Sequence, residues 1–160
     1  MAASYSVLMI CMGNICRSPT AEGVFRQQVG QAGLADRVHI DSAGTIDYHV
    51  GSPPDRRAVS HALRRGYDLA ALRARQVQTE DFSRFDLLLA MDWENMEALR
   101  ALCPEGLEHK LHTLMSFAPA DLPDVVPDPY YGGPADFEVV LDQVEAACVG
   151  LLAHVRRELG

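Results

Sequence analysis

Two spacings of apolar residues alternate along the chain. Residues 5–10 are a short, nearly continuous apolar run of the length of a strand buried on both faces. Behind it Ala21, Val24, Phe25, Gln28 and Val29 recur at helical steps, and Ser18-Pro19 ahead of them predicts an N-cap and a first-turn proline. The pairing then repeats. Residues 38–42 predict a second strand, and residues 55–65, after Pro53-Pro54, a helix ended by Gly66. Residues 42–54 between them read as loop. Residues 85–91, apolar apart from Asp86, predict a third strand, after which Asp92 caps a helix carrying Trp93, Met96, Leu99 and Leu102. Residues 110–114 read as a fourth strand. Residues 118–134, dense in Pro, Asp and Gly, predict a structured surface loop. Phe137, Val140, Leu141, Val144, Cys148, Leu151, Leu152 and Val155 then mark a long amphipathic C-terminal helix.

Strands alternating with helices predict an α/β fold with parallel pairing through right-handed crossovers and a ligand site at the carboxyl ends of the strands. The chain has 160 residues, 48% of them hydrophobic, which suits one domain spanning residues 1–160. Its formal net charge of −8 argues against nucleic acid or an anionic membrane as the main partner. No apolar stretch is long enough for membrane insertion, and no basic residue precedes the short run Val7 to Ile10, so a cytoplasmic protein is expected.

Four cysteines, at 11, 16, 103 and 148, are too few for a disulfide framework. Cys103, at a helix end before Pro104, and Cys148, in an apolar helical stripe, read as packing thiols. His109 and His112 lack a second pair at ligand spacing, so no metal site and no cofactor are expected.

Cys11-Met12-Gly13-Asn14-Ile15-Cys16-Arg17-Ser18 is different, because it joins a strand to a helix start, where backbone N–H groups and the helix dipole favour an anion. It lacks the Lys and the spacing of a nucleotide P-loop, so a smaller phosphate group fits it better. Among N–H donors, a guanidinium and the Ser18 hydroxyl, Cys11 would be held as the nucleophilic thiolate, and Arg17 can clasp two phosphoryl oxygens.

The run Cys11 to Pro19 resembles the C-x-G-N-x-C-R-S-P loop of the low-molecular-weight protein tyrosine phosphatases. The likeness continues through Asp41-Ser42-Ala43-Gly44-Thr45, Pro54-Asp55, Arg57-Ala58, Ala74-Arg75-Gln76, Met91-Asp92 and Asp128-Pro129-Tyr130-Tyr131, covering essentially the whole chain. That resemblance implies a single three-layer α/β domain, a four-stranded parallel sheet flanked by helices. It implies a phosphotyrosine-containing protein as substrate, Cys11 as nucleophile, Arg17 as transition-state ligand, and the loop of Met12, Gly13, Asn14, Ile15, Cys16 and Ser18 as phosphate cradle. Asp128 becomes the general acid, although spacing alone does not separate it from Asp121, Asp124 and Asp136. Asn14 would hold the loop through Ser42, and Tyr48, Tyr130 and Tyr131 would wall the substrate slot. The family often has a His where this chain has Leu72, so one polar contact to the loop is expected to be missing. Cys16 reads as a redox partner for Cys11 or as packing beneath the loop. A monomer is expected.

Related chemistries fit less well. An arsenate reductase would need a downstream cysteine pair, and residues 83–91 contain none. A phosphoarginine phosphatase goes with Thr in place of Ile15 and without paired tyrosines. A non-catalytic phosphate-binding module would have lost the nucleophile or the acid, and this chain has both Cys11 and Asp128.

Overall fold

The computed structural model describes residues 3–160. Its strands are β1 (Tyr5–Cys11), β2 (Val38–Gly44), β3 (Leu87–Ala90) and β4 (Leu111–Thr113). They form one all-parallel sheet in the order β2-β1-β3-β4. The helices are α1 (Arg17–Gln31), α2 (Arg56–Arg64), α3 (Asp81–Arg84), α4 (Trp93–Leu102) and α5 (Pro134–Leu159).

The period-two alternation of a strand splits β1 between two cores. Val7 and Met9 face one cluster with Val24 and Phe25 of α1 and Leu141, Val144 and Leu151 of α5. Leu8 and Ile10 face the other with Phe82 of α3 and Met96 and Leu99 of α4. With both faces covered, the buried part of β1 from Val7 onward has to be apolar, which is why the sequence shows a run there rather than an alternation.

From β1 the chain moves outward to β2 on one side, whereas β3 lies on the other, so the strand order reverses beside β1. The crevice at that reversal opens at the carboxyl ends of β1 and β3. Residues 12–16 leave β1 there, and Met91 and Asp92 leave β3.

Three local expectations need correction. Helix α1 begins at Arg17, one residue before the predicted cap, and Cys16 occupies the N-cap position without a side-chain cap bond. The Ser18 hydroxyl is engaged elsewhere, as described below. Strand β2 runs two residues past Ser42, because Ala43 and Gly44 continue its pairing with Ile10 and Cys11. The short helix α3 was not foreseen, since four residues give too little periodicity to read.

Helix α5 approaches the 3-10 turn Leu114–Phe117 so closely that a Cβ on Gly150 would lie 1.9 Å from the Phe117 carbonyl oxygen. The clash is with backbone, so it should outweigh the gain of up to about 1 kcal/mol that Ala normally brings over Gly in a helix. Gly150→Ala should therefore destabilise the protein by about 1–3 kcal/mol or more. Gly30→Ala, in α1 with nothing within 4 Å of a built Cβ, should stabilise it. Urea unfolding of both variants checks this, and a stability gain at Gly150 would mean that the two elements can separate.

Candidate active site

Asn14 sets the shape of the loop after β1. Its φ of 58° makes it the only described non-glycine residue in the left-handed region, where Asn is tolerated better than most side chains. Its side chain is fully engaged. Nδ2 donates to Ser18 Oγ (2.8 Å) and Ser42 Oγ (3.0 Å), and Oδ1 accepts from the Arg75 backbone N–H (3.0 Å). Leu72, where a His was looked for, packs against the apolar cluster instead. Both N–H groups and the carbonyl oxygen of the Asn14 amide thus have partners.

These bonds fix proton directions. The Arg75 N–H requires an acceptor, so the amide orientation of Asn14 follows, with both of its N–H groups aimed at the two serines. Ser42 donates its own proton to Glu22 Oε1 at 2.6 Å, leaving a lone pair for Asn14. Ser18 accepts from Asn14, so its one proton is free for the Cys11 sulfur, 3.0 Å away. The Asn14 backbone N–H also donates to that sulfur at 3.3 Å. Cys11 thus sits at the end of β1, 3% exposed, with the Ser18 hydroxyl and the Asn14 N–H both directed at Sγ.

Backbone donors surround the same place. The amides of Gly13, Ile15, Cys16 and Arg17 donate to no protein acceptor among the described residues, as expected where a loop runs into the first turn of a helix. Gly44 is required beside them, because a Cβ there would come within 2.7 Å of the Met12 carbonyl oxygen.

Arg17 is buried, and its guanidinium is held from behind. Nη1 donates to Asp92 Oδ2 (2.6 Å) and to the Val126 carbonyl (3.0 Å). Nη2 lies 3.9 Å from Asp128 Oδ2. Burial works against its charge, but Cys11, Asp92 and Asp128 outweigh burial and hold the guanidinium more firmly protonated than usual. Asp128 is partly exposed, and its Oδ1 accepts from the Tyr130 N–H at 3.1 Å. Cys16 lies below the loop among Ile15, Ala58, Ala74 and Phe137. Burial, then the nearby Asp55 and Cys11, push its thiol well above the ordinary range.

A cleft of about 300 Å³ opens over Cys11 and Arg17, lined also by Ile46, Tyr48, His49, Asp128, Tyr130 and Tyr131. Tyr48 and Tyr131 stand at the rim, 82% and 96% exposed, whereas Tyr130 is half covered. All the residues expected at the site therefore lie in the cleft or directly behind it. Sequence reading missed Glu22, Arg75 and His49, and it took Asp92 only as a helix cap. Asp92 does cap α4 through Oδ1, which accepts from Asn95 N–H at 2.8 Å, while its other oxygen holds Arg17. A carboxylate closing the same apolar strand that flanks β1 was the available signal for that second role.

A model of the family described as low molecular weight phosphotyrosine protein phosphatase matches residues 6–160. A low molecular weight protein-tyrosine-phosphatase of Streptomyces coelicolor is 48% identical, over 98% of this chain and 96% of its own length. The human low molecular weight phosphotyrosine protein phosphatase is 40% identical, over 94% and 95% respectively. A crystal structure of a protein tyrosine phosphatase from Entamoeba histolytica, with Hepes in its active site, superposes with a TM-score of 0.94. It is 37% identical and covers 97% of this chain and 99% of that one.

Glu22 gives the site a pH signature. Burial raises its carboxyl above the ordinary 4.5, more than the hydrogen bonds from Ser42 and Arg26 lower it. The folded protein then keeps a proton at pH values where the unfolded chain has lost it. The stability this contributes is complete below 4.5 and declines as pH rises through the raised native value. Glu22→Gln cannot titrate, so its urea midpoint should lack that part of the decline. Parallel pH profiles for the two proteins would show that Glu22 is not the group responsible.

Proposed function

The chain belongs to the low molecular weight phosphotyrosine protein phosphatase family and is a protein-tyrosine phosphatase, a hydrolase, and from that premise we propose that it works through a cysteinyl-phosphate intermediate on Cys11. The observation that carries this reading is the Cys11 sulfur itself, held at the base of the cleft by the Ser18 hydroxyl and the Asn14 N–H.

In the first step Cys11 Sγ attacks phosphorus in line and the bond from phosphorus to the phenolic oxygen breaks. The Asp128 carboxyl gives its proton to that leaving oxygen. Loop amides and Arg17 carry the charge on the equatorial oxygens, where preorganised donors supply most of the rate. Arg17 suits this because Asp92 and the Val126 carbonyl bind one nitrogen and leave the fork's other edge toward the cleft. In the second step a water oxygen attacks phosphorus, the S–P bond breaks, and Asp128 takes back a proton. Neither step calls for a metal or a cofactor.

The substrate is a phosphotyrosine-containing protein, with the ring lying against Tyr48, Tyr130 and Tyr131. Tyr130 and Tyr131 meet edge to face at 4.9 Å, a geometry that leaves aromatic faces for a third ring. Rim tyrosines this exposed bury apolar area only when a substrate ring arrives, which rewards ring-bearing substrates over alkyl phosphates.

Cys16 acts as redox safeguard. Peroxide converts the Cys11 thiolate to a sulfenic acid and is itself reduced to water. The Cys16 sulfur then attacks, a disulfide forms and water leaves. A thiol held protonated by burial is a weak target for peroxide, so oxidation begins at Cys11.

Variants at three positions test these assignments. Cys11→Ser should lose turnover while still binding vanadate, and Asp128→Asn should slow poor phenolic leaving groups far more than activated aryl phosphates. Residual turnover in the first, or equal losses across leaving groups in the second, removes the corresponding role. Cys16→Ser should keep much of its unstressed activity yet fail to recover with thiol after peroxide. If mass spectrometry of the peroxide-treated protein finds no Cys11–Cys16 bond, Cys16 is a packing residue.

A further inference from the structure

Asp128 lies on a stretch with few anchors. Val126 is well tied, its N–H to the Met91 carbonyl (2.8 Å) and its carbonyl to Arg17. Beyond it, residues 127–133 bond mostly among themselves and to the start of α5. Tyr130 N–H goes to Asp128, Gly132 N–H to the Pro129 carbonyl and Gly133 N–H to Asp136. Among the described residues, one side chain from elsewhere hydrogen-bonds the backbone of this segment, and it is Arg57. Its Nη2 donates to the Tyr130 carbonyl at 2.8 Å and its Nη1 to the Gly132 carbonyl at 3.5 Å.

The same guanidinium also grips Asp55, which is tied to the phosphate loop. Nε and Nη2 donate to the two carboxylate oxygens of Asp55 at 3.1 and 3.0 Å. Asp55 is locked in turn, because it caps α2 by accepting the Arg57 N–H at 2.8 Å and its own N–H donates to the Ile15 carbonyl at 2.8 Å. The guanidinium plane also lies over Phe137, 4.7 Å from its centroid, and near Tyr130 at 5.7 Å. A continuous path of hydrogen bonds therefore runs from Ile15 in the phosphate loop through Asp55 and Arg57 to the two carbonyls that follow Asp128.

We propose that Arg57 is a positioning residue for the proton donor, setting the reach of Asp128 toward the leaving oxygen by clamping residues 130–132 to the phosphate loop. The proposal rests on the reading of Asp128 as general acid. The ordinary alternative is a surface ion pair between Arg57 and Asp55 that supports a helix cap. An ion pair with Arg57 this exposed contributes little to stability, so that alternative predicts at most a small fall in melting temperature and no dependence on the leaving group. The clamp predicts a selective one. A displacement near 1 Å at the acid, caused by a change at a residue away from the reacting bonds, costs on the order of a hundredfold in rate while leaving anion binding alone. Lys cannot replace Arg here, since one ammonium cannot grip a carboxylate and two carbonyls together.

The test uses the intact chain with Arg57→Ala, Arg57→Lys, Asp128→Asn and the double variant Arg57→Ala/Asp128→Asn. Each is assayed on aryl phosphates of graded leaving-group acidity, for inhibition by vanadate, and for melting temperature. Arg57→Ala should lose on the order of ten- to a hundredfold in kcat on poor leaving groups. Activated phosphates and vanadate inhibition should stay near wild type. Arg57→Lys should fall between the two, and should it alone fold, its leaving-group slope gives the same readout. In the double variant the Arg57 change should add nothing to Asp128→Asn, because both act on one proton transfer. Equal losses on all substrates, weakened vanadate inhibition, additive losses in the double variant or no loss at all would each overturn the clamp while Asp128→Asn keeps its steep leaving-group dependence. A flat dependence in Asp128→Asn itself would instead remove the general acid, and the clamp with it.

Discussion

A left-handed residue held by its own side chain is the constraint from which the site is built. Without support, a non-glycine residue at φ near +58° carries a strain of roughly 1–2 kcal/mol. Asn14 offsets that cost with three side-chain hydrogen bonds to three separate segments, the start of α1, the end of β2 and the stretch carrying Arg75. Releasing any one partner would loosen the turn and the others together, since the amide cannot satisfy two partners while rotated away from the third. The network belongs to the buried, fully satisfied kind, in which strength and uniqueness of geometry come together.

Electrostatics follow the same economy. In a chain of net charge −8, one buried guanidinium faces the cleft, and its charge is balanced from behind by Asp92. Asp92 lies at the end of β3 and Arg17 at the start of α1, so the strand reversal beside β1 is what brings them to 2.6 Å. Because the pair leaves Nη2 uncommitted except to Asp128 at 3.9 Å, an arriving anion meets a cation already oriented. The fold thus contributes to the site mainly by deciding which strand ends are neighbours.

Much of this could be read from the sequence, and the failures have a common cause. Strands covered on both faces announce themselves as apolar runs, as β1 and β3 do. The cap Asp92 and the left-handed Gly66 act locally, so they were legible at their positions, whereas Asp55, read as the first residue of its helix, is instead the N-cap. The C-x5-R loop was legible because its partners are within eight residues. Glu22, Arg75 and Arg57 were not, since each acts on a residue distant in sequence that only the tertiary fold brings close. Ser18 shows a local rule overruled. A serine before a proline and an apolar stripe is an excellent N-cap, yet its hydroxyl serves Asn14 and Cys11, and the helix begins one residue earlier without a side-chain cap. Where a good capping residue is not used for capping, a competing demand is acting on it, and here that demand is the sulfur.

The absence of His at position 72 can be understood in the same terms. A polar side chain there was expected to brace the loop, but the donors and acceptor of Asn14 are already taken by Ser18, Ser42 and Arg75. What remains to be fixed is the direction of the Ser42 hydroxyl, and a buried carboxylate does that. Glu22 accepts from Ser42 with one oxygen and from Arg26 with the other, both at 2.6 Å, and Arg26 also reaches the Ile40 carbonyl. Arg26 and Glu22 are four residues apart on α1, so the brace is anchored on the helix that follows the loop after β1. Leu72 is then free to pack against the core. Burial of Glu22 is the cost of this arrangement, and its raised carboxyl pKa is where that cost becomes measurable.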